Sequence, residues 1–129
     1  MQAMIYGTGI DIIEIARIKR SVETYAGRFE EKVFTQSEID YCRSKADPSR
    51  HFAARFAAKE AALKSLGTGM SQGISWKDIE VVNHHESGKP FLKLSGKGQE
   101  LFVALQLKAI HISISHEKNH AIAHAIAEQ

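Results

Sequence analysis

The most regular hydrophobic pattern in the chain lies between Pro48 and Gly67. Apolar side chains recur there at the spacing of a helix with one buried face, at Phe52, Phe56, Leu63 and Leu66. Proline suits a first helical turn, and glycine favours a stop in the left-handed conformation. The pattern therefore predicts a long helix from about Pro48 to Gly67. Lys59 interrupts the apolar stripe, and we expect it at the stripe's edge, with its ammonium in water.

Strand-like alternation dominates the C-terminal part of the chain. From Ala109 to His116, isoleucines alternate with histidine and serine, which predicts a half-buried strand with one polar face. Residues 121–127 can pair with it through a turn at 117–119. Further upstream, residues 78–84 and 90–94 are predicted to form a hairpin around a glycine-containing turn.

The N-terminal part begins with a short predicted strand, Met4 to Ile10, whose two glycines allow another backbone to come close. Asp11 is expected to end this strand, and it can cap a helix that runs from Ile12 to about Val22. Residues 29–34 are predicted to be a loop or a frayed turn.

Two more helices are predicted. Thr35 and Glu38 have the spacing of a capping box, which would open a short helix to about Ser44. Residues 95–107 form an amphipathic pattern with Leu101, Phe102 and Leu105 on the inner face. Because helices and strands mix without regular alternation, the fold class expected is α+β. At 129 residues, we expect one domain spanning residues 1–129.

Composition narrows the function classes. A net charge of +2 is too small to argue for nucleic acid as a partner. No apolar run approaches the ~20 residues of a membrane span, and no signal peptide is visible. Cys42 is the only cysteine, so it has no intramolecular disulfide partner, and we expect it to be a small buried residue. These features predict a cytoplasmic protein.

Charged side chains crowd the predicted central helix at Arg55, Lys59, Glu60 and Lys64. The ordinary interpretation of Glu60 and Lys64 is a surface pair four residues apart, which contributes roughly 0.3–0.5 kcal/mol. Cations around a single carboxylate also suit a site that holds a metal ion and a polyphosphate together. For Asp11 the two interpretations are a helix cap and a metal ligand at a strand end.

His116 to His120 matches the H-E-x-x-H pattern of zinc hydrolases, with His124 four residues further on. In those enzymes the motif lies on a helix, so both histidines reach the metal. Here it continues a strand of strict alternation, and Lys118-Asn119 is good turn chemistry. We therefore interpret the motif as a hairpin turn rather than a zinc site.

Four motifs together resemble the holo-[acyl-carrier-protein] synthase family, the small single-domain 4′-phosphopantetheinyl transferases. They are GTGIDIIEI from Gly7, RFAAKEAALKSLGTG from Arg55, the Gly88-Lys89-Pro90 hairpin, and the closing Ser113-x-Ser115-His116 strand. The resemblance implies an antiparallel sheet packed against the long central helix. It also implies Mg²⁺-dependent transfer of 4′-phosphopantetheine from coenzyme A to a serine of acyl carrier protein, with release of 3′,5′-ADP, in fatty acid biosynthesis.

The same resemblance implies residue roles. Asp11 and Glu60 would hold Mg²⁺, and Lys64, positioned by Glu60, would neutralise the leaving phosphate, so these three are the expected catalytic residues. Contacts to coenzyme A are expected from Lys64 and from His116, Arg55, Ser113, Ser115, Gly88, Lys89 and Pro90. Two-domain relatives carry an Asp-x-Glu pair where this chain has Asp11-Ile12-Ile13, and a water is expected to replace the missing carboxylate.

Basic residues of the first helix and its surroundings offer a partner surface. The resemblance suggests that Arg17, Arg20 and Arg28 receive the acidic helix of the carrier protein, with Arg17 the best match. It further implies a homotrimer with sites between subunits, so that His116 can act in a neighbouring chain. A solvated charged face is the ordinary alternative for these arginines. A module that binds coenzyme A or a carrier without transfer is the alternative function.

Overall fold

The computed structural model describes residues 4–67 and 73–129. Their helices are α1 (Ile15–Thr24), α2 (Arg28–Val33), α3 (Gln36–Arg43), α4 (Pro48–Leu66) and α5 (Gly96–Ala104). Their strands are β1 (Ile5–Glu14), β2 (Ile79–Asn83), β3 (Pro90–Leu94), β4 (Ala109–His116) and β5 (His120–Glu128), with a 3₁₀ turn at Trp76–Asp78.

Two antiparallel sheets support the helices. β5 lies between β1 and β4 in a three-stranded sheet, and β2 pairs with β3 in a separate hairpin. α4 crosses the three-stranded sheet and buries its alanines against it, including Ala53, Ala57, Ala58 and Ala61. The small side chains let the helix lie close to the strands, and the predicted arrangement of sheet and central helix is confirmed.

The helix termini follow from local sequence. Pro48 occupies the first turn of α4, and Gly67 ends it with φ 79°. The last two residues of the RFAAKEAALKSLGTG motif, Thr68 and Gly69, lie outside the described residues. Thr35 and Glu38 form the predicted capping box at the start of α3. α5 ends at Ala104, earlier than predicted, and Gln106 just beyond it has a positive φ of 56°.

β1 is longer than predicted. The strand continues to Glu14 because β5 supplies partners up to the pair Glu14↔His120. α1 therefore begins at Ile15, and Asp11 lies within the strand, opposite Ala123, instead of capping a helix. The cap interpretation of Asp11 was wrong. The prediction of a loop or a frayed turn over residues 29–34 was also wrong, since residues 28–33 form the short helix α2.

Side chains of the three-stranded sheet divide between two faces. Ile13, Ala121, Ala123 and Ile112 are buried beneath α4. The opposite face carries the exposed Ile10, Ile12 and Ile122, together with His111, Ser113 and Ser115 of β4. We call this second surface the open face of the sheet. β4 has the predicted bounds, Ala109 to His116, and its burial alternates as predicted from Ile110 to Ser115.

Candidate active site

Two glycines bring β1 against α4. A Cβ at Gly7 would lie 2.3 Å from the Ser65 carbonyl oxygen, and one at Gly9 would lie 2.0 Å from that of Ala61. Real Cβ atoms do not come so close, so only glycine permits this approach. The contact fixes the position of Asp11, two residues after Gly9, on the face of β1 that meets the helix.

Lys64 joins the two elements electrostatically. Its Nζ lies 3.3 Å from Asp11 Oδ1 and donates a hydrogen bond of 2.9 Å to the Ile10 carbonyl oxygen. Among residues 4–67 and 73–129, the structure has no ion pair between Lys64 and Glu60, so the expected surface pair, with Glu60 positioning Lys64, was wrong. The lysine is positioned by β1 instead.

Glu60 completes a cluster of charged side chains with Asp11, Lys64 and Arg17, which we call the acidic cluster. Burial raises the pKa of the Glu60 carboxyl, and the nearby Asp11 carboxylate raises it further. The Lys64 ammonium and the Arg17 guanidinium act in the opposite direction. The two carboxylates, distant in sequence, are thus close enough for their charges to interact.

The ligands that this cluster offers fit Mg²⁺ when water and substrate phosphates complete the coordination. Asp11 and Glu60 provide hard oxygen ligands, but the described chain has no group of three or more histidine, cysteine, aspartate or glutamate residues that could hold a metal ion. Mg²⁺ commonly binds through one or two carboxylates and completes its coordination with water and substrate phosphates. Ile13 is buried in the core and offers no ligand. The residues therefore fit a magnesium ion that arrives with a phosphate-bearing substrate.

A second feature is a cavity of about 410 Å³ between α3, α4 and the β2–β3 hairpin. Its polar and charged lining comprises Ser37, Tyr41, Lys45, Arg55, Asn83, His84, His85 and Gly88. Arg55 and Gly88, both predicted to contact coenzyme A, line this cavity together. Lys89 and Pro90 follow in the same hairpin but do not line it.

Arg55 is held rigidly in the wall of the cavity. Its Nη2 donates a 2.7 Å hydrogen bond to Asn83 Oδ1, and its guanidinium carbon lies 3.9 Å from the centre of the Tyr41 ring. The residue is 5% exposed, and its Nε has no hydrogen-bond partner among the described residues. Lys45 also lies over the Tyr41 ring, at 4.6 Å. Two cations on one aromatic platform suit an anionic ligand.

His116 lies apart from the acidic cluster, at the end of β4. Its ring is 6.0 Å from that of His51 on α4, and His51 is in turn 6.0 Å from Tyr41. Burial lowers the pKa of His51, and the adjacent His116 lowers it further. His116 is thus linked by ring contacts, through His51, to Tyr41 in the wall of the cavity.

The remaining predicted contact residues lie elsewhere. Ser113 and Ser115 project from the open face of the sheet, whereas Asp11 faces α4 from the opposite side. A single chain therefore does not bring these serines to the acidic cluster. Arg17, Arg20 and Arg28 are exposed. Of these three, Arg17 also influences the pKa of Glu60, so it adjoins the cluster.

The H-E-x-x-H pattern forms a hairpin turn, as interpreted from the sequence. His116 ends β4 and His120 begins β5. Glu117 Oε1 accepts one hydrogen bond from the Asn119 backbone N–H and lies 2.9 Å from His120 Nδ1. The helical geometry of zinc hydrolases is absent from this segment. Cys42 is buried as expected, and burial raises its pKa to about 12.

Sequence reasoning missed several residues of the cavity. Tyr41, Lys45 and Asn83 were not singled out, although Tyr41 and Lys45 stand four residues apart at the end of a predicted helix. That spacing was the available signal, because it places an aromatic ring and a cation side by side. Lys59 was also misjudged: it is fully buried and ion-paired with Glu38 at 2.7 Å, not exposed at an edge.

Comparisons with known proteins agree with this architecture. The model of the 4′-phosphopantetheinyl transferase superfamily matches residues 7–125. The holo-[acyl-carrier-protein] synthase of Geobacter sp. (strain M21) is 49% identical over 126 residues, which cover 98% of this chain and 100% of that protein.

Solved structures resemble the whole chain. The holo-[acyl-carrier-protein] synthase of Neisseria meningitidis superposes with a TM-score of 0.91 at 29% identity, covering 98% of this chain and 100% of that one. The enzyme of Bacillus anthracis str. Ames, in complex with CoA (3′,5′-ADP), gives a TM-score of 0.80 at 37% identity and covers 98% of both chains. The chain belongs to the 4′-phosphopantetheinyl transferase superfamily.

Proposed function

We propose that this enzyme transfers the 4′-phosphopantetheine group of coenzyme A to a serine of apo acyl carrier protein. The reaction depends on Mg²⁺, releases 3′,5′-ADP and serves fatty acid biosynthesis in the cytoplasm. The observation that carries the proposal is the convergence of Asp11, Glu60 and Lys64 in a chain of this family. Among its described residues, no helix is both long and apolar enough to cross a membrane.

Asp11 and Glu60 are the residues that would hold Mg²⁺. When bound, the ion supplies neutralisation of the diphosphate charge and orients the phosphate that is attacked. Water would take the position that a second carboxylate occupies in two-domain relatives, because Ile13 is buried and apolar. Lys64 lies within 3.3 Å of Asp11 Oδ1 and can neutralise charge on the leaving phosphate from the same side.

The transfer itself is a displacement at phosphorus. The carrier serine oxygen bonds to the phosphorus that bears the pantetheine arm, and the bond from that phosphorus to the bridging oxygen breaks. The bridging oxygen leaves with 3′,5′-ADP. The serine proton passes to the Glu60 carboxylate, directly or through a water molecule.

The nucleotide half of coenzyme A is assigned to the cavity beside Arg55. Arg55 has an unpartnered buried Nε, and Lys45 adds a second positive charge at the same ring. Guanidinium groups bind phosphates through several donors, so Arg55 is suited to a terminal phosphate of the nucleotide. Gly88 lines the cavity on the hairpin side, and Lys89 and Pro90 follow it in the chain.

The open face of the sheet offers a contact surface for the proposed homotrimer. Ile12 is 64% exposed and Ile10 is 58% exposed, and both lie beside Ile122 on one sheet surface. Contiguous exposed apolar side chains of this kind mark protein contacts. Subunits joined here would place Ser113 and Ser115 at the contact, and His116 near its edge would act toward a neighbouring chain's nucleotide.

The test is to incubate the protein with apo acyl carrier protein, coenzyme A and Mg²⁺, and to weigh the carrier by mass spectrometry. A mass gain equal to one phosphopantetheine, with equimolar 3′,5′-ADP, is the expected result. Excess EDTA should prevent the gain, and excess Mg²⁺ should restore it. Nucleotide binding without any product would instead establish the alternative, a binding module.

A further inference from the structure

Lys59 and Glu38 form an ion pair that is wholly enclosed by the protein. Both side chains are 0% exposed, and Lys59 Nζ lies 2.7 Å from Glu38 Oε1. Two charges removed from water are tolerated only when every donor and acceptor finds a partner. Lys59 achieves this, because its three donors meet Glu38, the Ile79 carbonyl oxygen at 2.7 Å and the Trp76 carbonyl oxygen at 3.0 Å.

The Glu38 carboxylate is equally satisfied. Its Oε1 accepts the Thr35 backbone N–H at 3.0 Å as well as Lys59, and its Oε2 accepts the Val81 backbone N–H at 2.9 Å. One carboxylate therefore binds α3, α4 and β2 together. Burial lowers the pKa of Lys59, while Glu38 opposes that shift by stabilising the charged form.

The three elements that this pair joins are the walls of the cavity assigned to the nucleotide. α3 contributes Tyr41, α4 contributes Arg55, and β2 contributes Asn83. Lys59 is one helical turn after Arg55 on α4. Val81, whose N–H binds Glu38, itself lines the cavity and is two residues from Asn83. The Arg55–Asn83 hydrogen bond of 2.7 Å thus spans the same α4–β2 junction that the buried pair holds.

Stability alone explains this arrangement poorly. Apolar residues of similar volume often replace a buried ion pair without loss of stability, so directional bonds are what the charges add. We propose that Glu38 and Lys59 are positioning residues for coenzyme A: they fix the spacing of α3, α4 and β2, and so hold Arg55 and Tyr41 in the geometry that binds the nucleotide. This inference rests on the proposed function.

The experiment compares wild type with the double variant E38Q/K59M, which removes both charges and leaves neither unpaired. Calorimetric titration measures the Kd of 3′,5′-ADP, and steady-state assays separate the two substrates. We expect a Kd and a KM for coenzyme A about tenfold higher, as when supporting partners behind a ligand-binding group are removed. The KM for the carrier and kcat should change less than about twofold.

The matched control is E30Q. Glu30 is also a buried, ion-paired carboxylate, bound to Arg43 at 2.6 Å, but it does not line the cavity. E30Q should lower thermal stability and leave the Kd of 3′,5′-ADP unchanged. If the double variant does not fold, the Kd of 3′,5′-ADP is measured for E38D instead. This variant keeps the negative charge but has a shorter side chain, which cannot reach both Lys59 and the Val81 backbone N–H, so we expect a higher Kd.

Two outcomes are decisive and separable. A variant that binds 3′,5′-ADP as tightly as wild type refutes the positioning role, whatever its stability. A wild-type protein that binds no 3′,5′-ADP refutes the proposed function and this inference with it.

Discussion

Lys64 Nζ lies 3.3 Å from Asp11 Oδ1, which joins the C-terminal half of α4 to the middle of β1. The partner that local sequence suggested for Lys64 was Glu60, one turn earlier on the same helix. Contact with β1 leaves the Glu60 carboxylate outside that ion pair. The candidate site therefore has a cation on one carboxylate and a second carboxylate available as ligand or base.

Removing either carboxylate should reduce transfer to a small residual rate. Asp11→Ala and Glu60→Ala each delete one of the two acidic ligands, and we expect kcat to fall by about 10²–10³, the range for loss of a group that stabilises transition-state charge. Carrier mass measures the activity, and circular dichroism verifies the fold. The control Glu100→Ala removes an exposed glutamate of α5 that pairs with Lys97. Full activity in both site variants would remove the metal hypothesis.

Glu60 should reduce stability at neutral pH. Its folded-state pKa is raised, chiefly by burial, so the folded chain holds this proton more tightly than the unfolded chain does. Relative to an ionised Glu60, the protonated carboxyl favours the folded state. This contribution is complete below the ordinary pKa of 4.5 and is lost as the pH rises through the folded-state pKa. Glu60→Gln should therefore be more stable than wild type at pH 7, by a few tenths to about 1 kcal/mol, because the group is only partly buried.

Urea unfolding at several pH values between 4 and 8 measures this difference. It should shrink toward zero as the pH falls below 4.5. A Glu60→Gln variant that is less stable than wild type at pH 7 would contradict the assigned environment of this carboxyl.

Arg17 should contribute to carrier binding through its charge. Arg17→Glu places a negative charge beside Glu60 on an exposed surface, and we expect the KM for the carrier to rise about tenfold at low salt. The increase should become smaller at 0.5 M salt, where the Debye length is a few ångströms. Arg20→Glu, on the same helix, should show a smaller effect. A defect of Arg17→Glu that does not depend on salt would indicate damaged packing instead.

Gly9 should tolerate no side chain. A Cβ there would lie 2.0 Å from the Ala61 carbonyl oxygen, so Gly9→Ala must push β1 away from α4. We expect a loss of about 1–3 kcal/mol in unfolding free energy, the usual cost of overpacking, together with reduced transfer because Asp11 moves with its strand. Thr8→Ala, an exposed position on the same strand, is the control. Unchanged stability in Gly9→Ala would show that the strand can shift freely.

The open face should determine assembly. Ile12→Glu introduces a charge at a side chain that is 64% exposed in the single chain, so it should not unfold the subunit. It should prevent the proposed trimer, which light scattering measures as a mass. Val103→Glu is a matched control, because Val103 is 63% exposed but belongs to α5 and not to the open face. A trimer that survives Ile12→Glu would place the subunit contact elsewhere.

Local periodicity predicted some elements well. It failed where contacts with residues distant in sequence determine the length of an element or the burial of a side chain. β4 was predicted from Ala109 to His116 because its alternation is strict, and α4 because Pro48 and Gly67 mark its ends. The extension of β1 through Asp11 was missed, since its partners in β5 lie at the far end of the chain. A lysine on an apolar stripe suggests a surface position by default, and only the fold reveals the carboxylate that meets Lys59.

The candidate site was predicted in part for the same reason. Asp11, Glu60 and Lys64 come from motifs, and the fold brings them together. Ser113 and Ser115 come from a motif too, yet the pleat of β4 directs them to the opposite side of the sheet. Strand parity can be read from sequence, but which face the central helix covers depends on the pairing of β1, β5 and β4.

α4 carries the cavity arginine, the buried lysine, and Glu60 and Lys64 of the acidic cluster within ten positions, from Arg55 to Lys64. A helix rises about 1.5 Å and turns about 100° per residue, so Arg55 and Glu60 are separated by a fixed step of about 7.5 Å along the axis. Inserting or deleting one residue between them would swing every later side chain by about 100°. The length of this segment is therefore as constrained as its functional side chains.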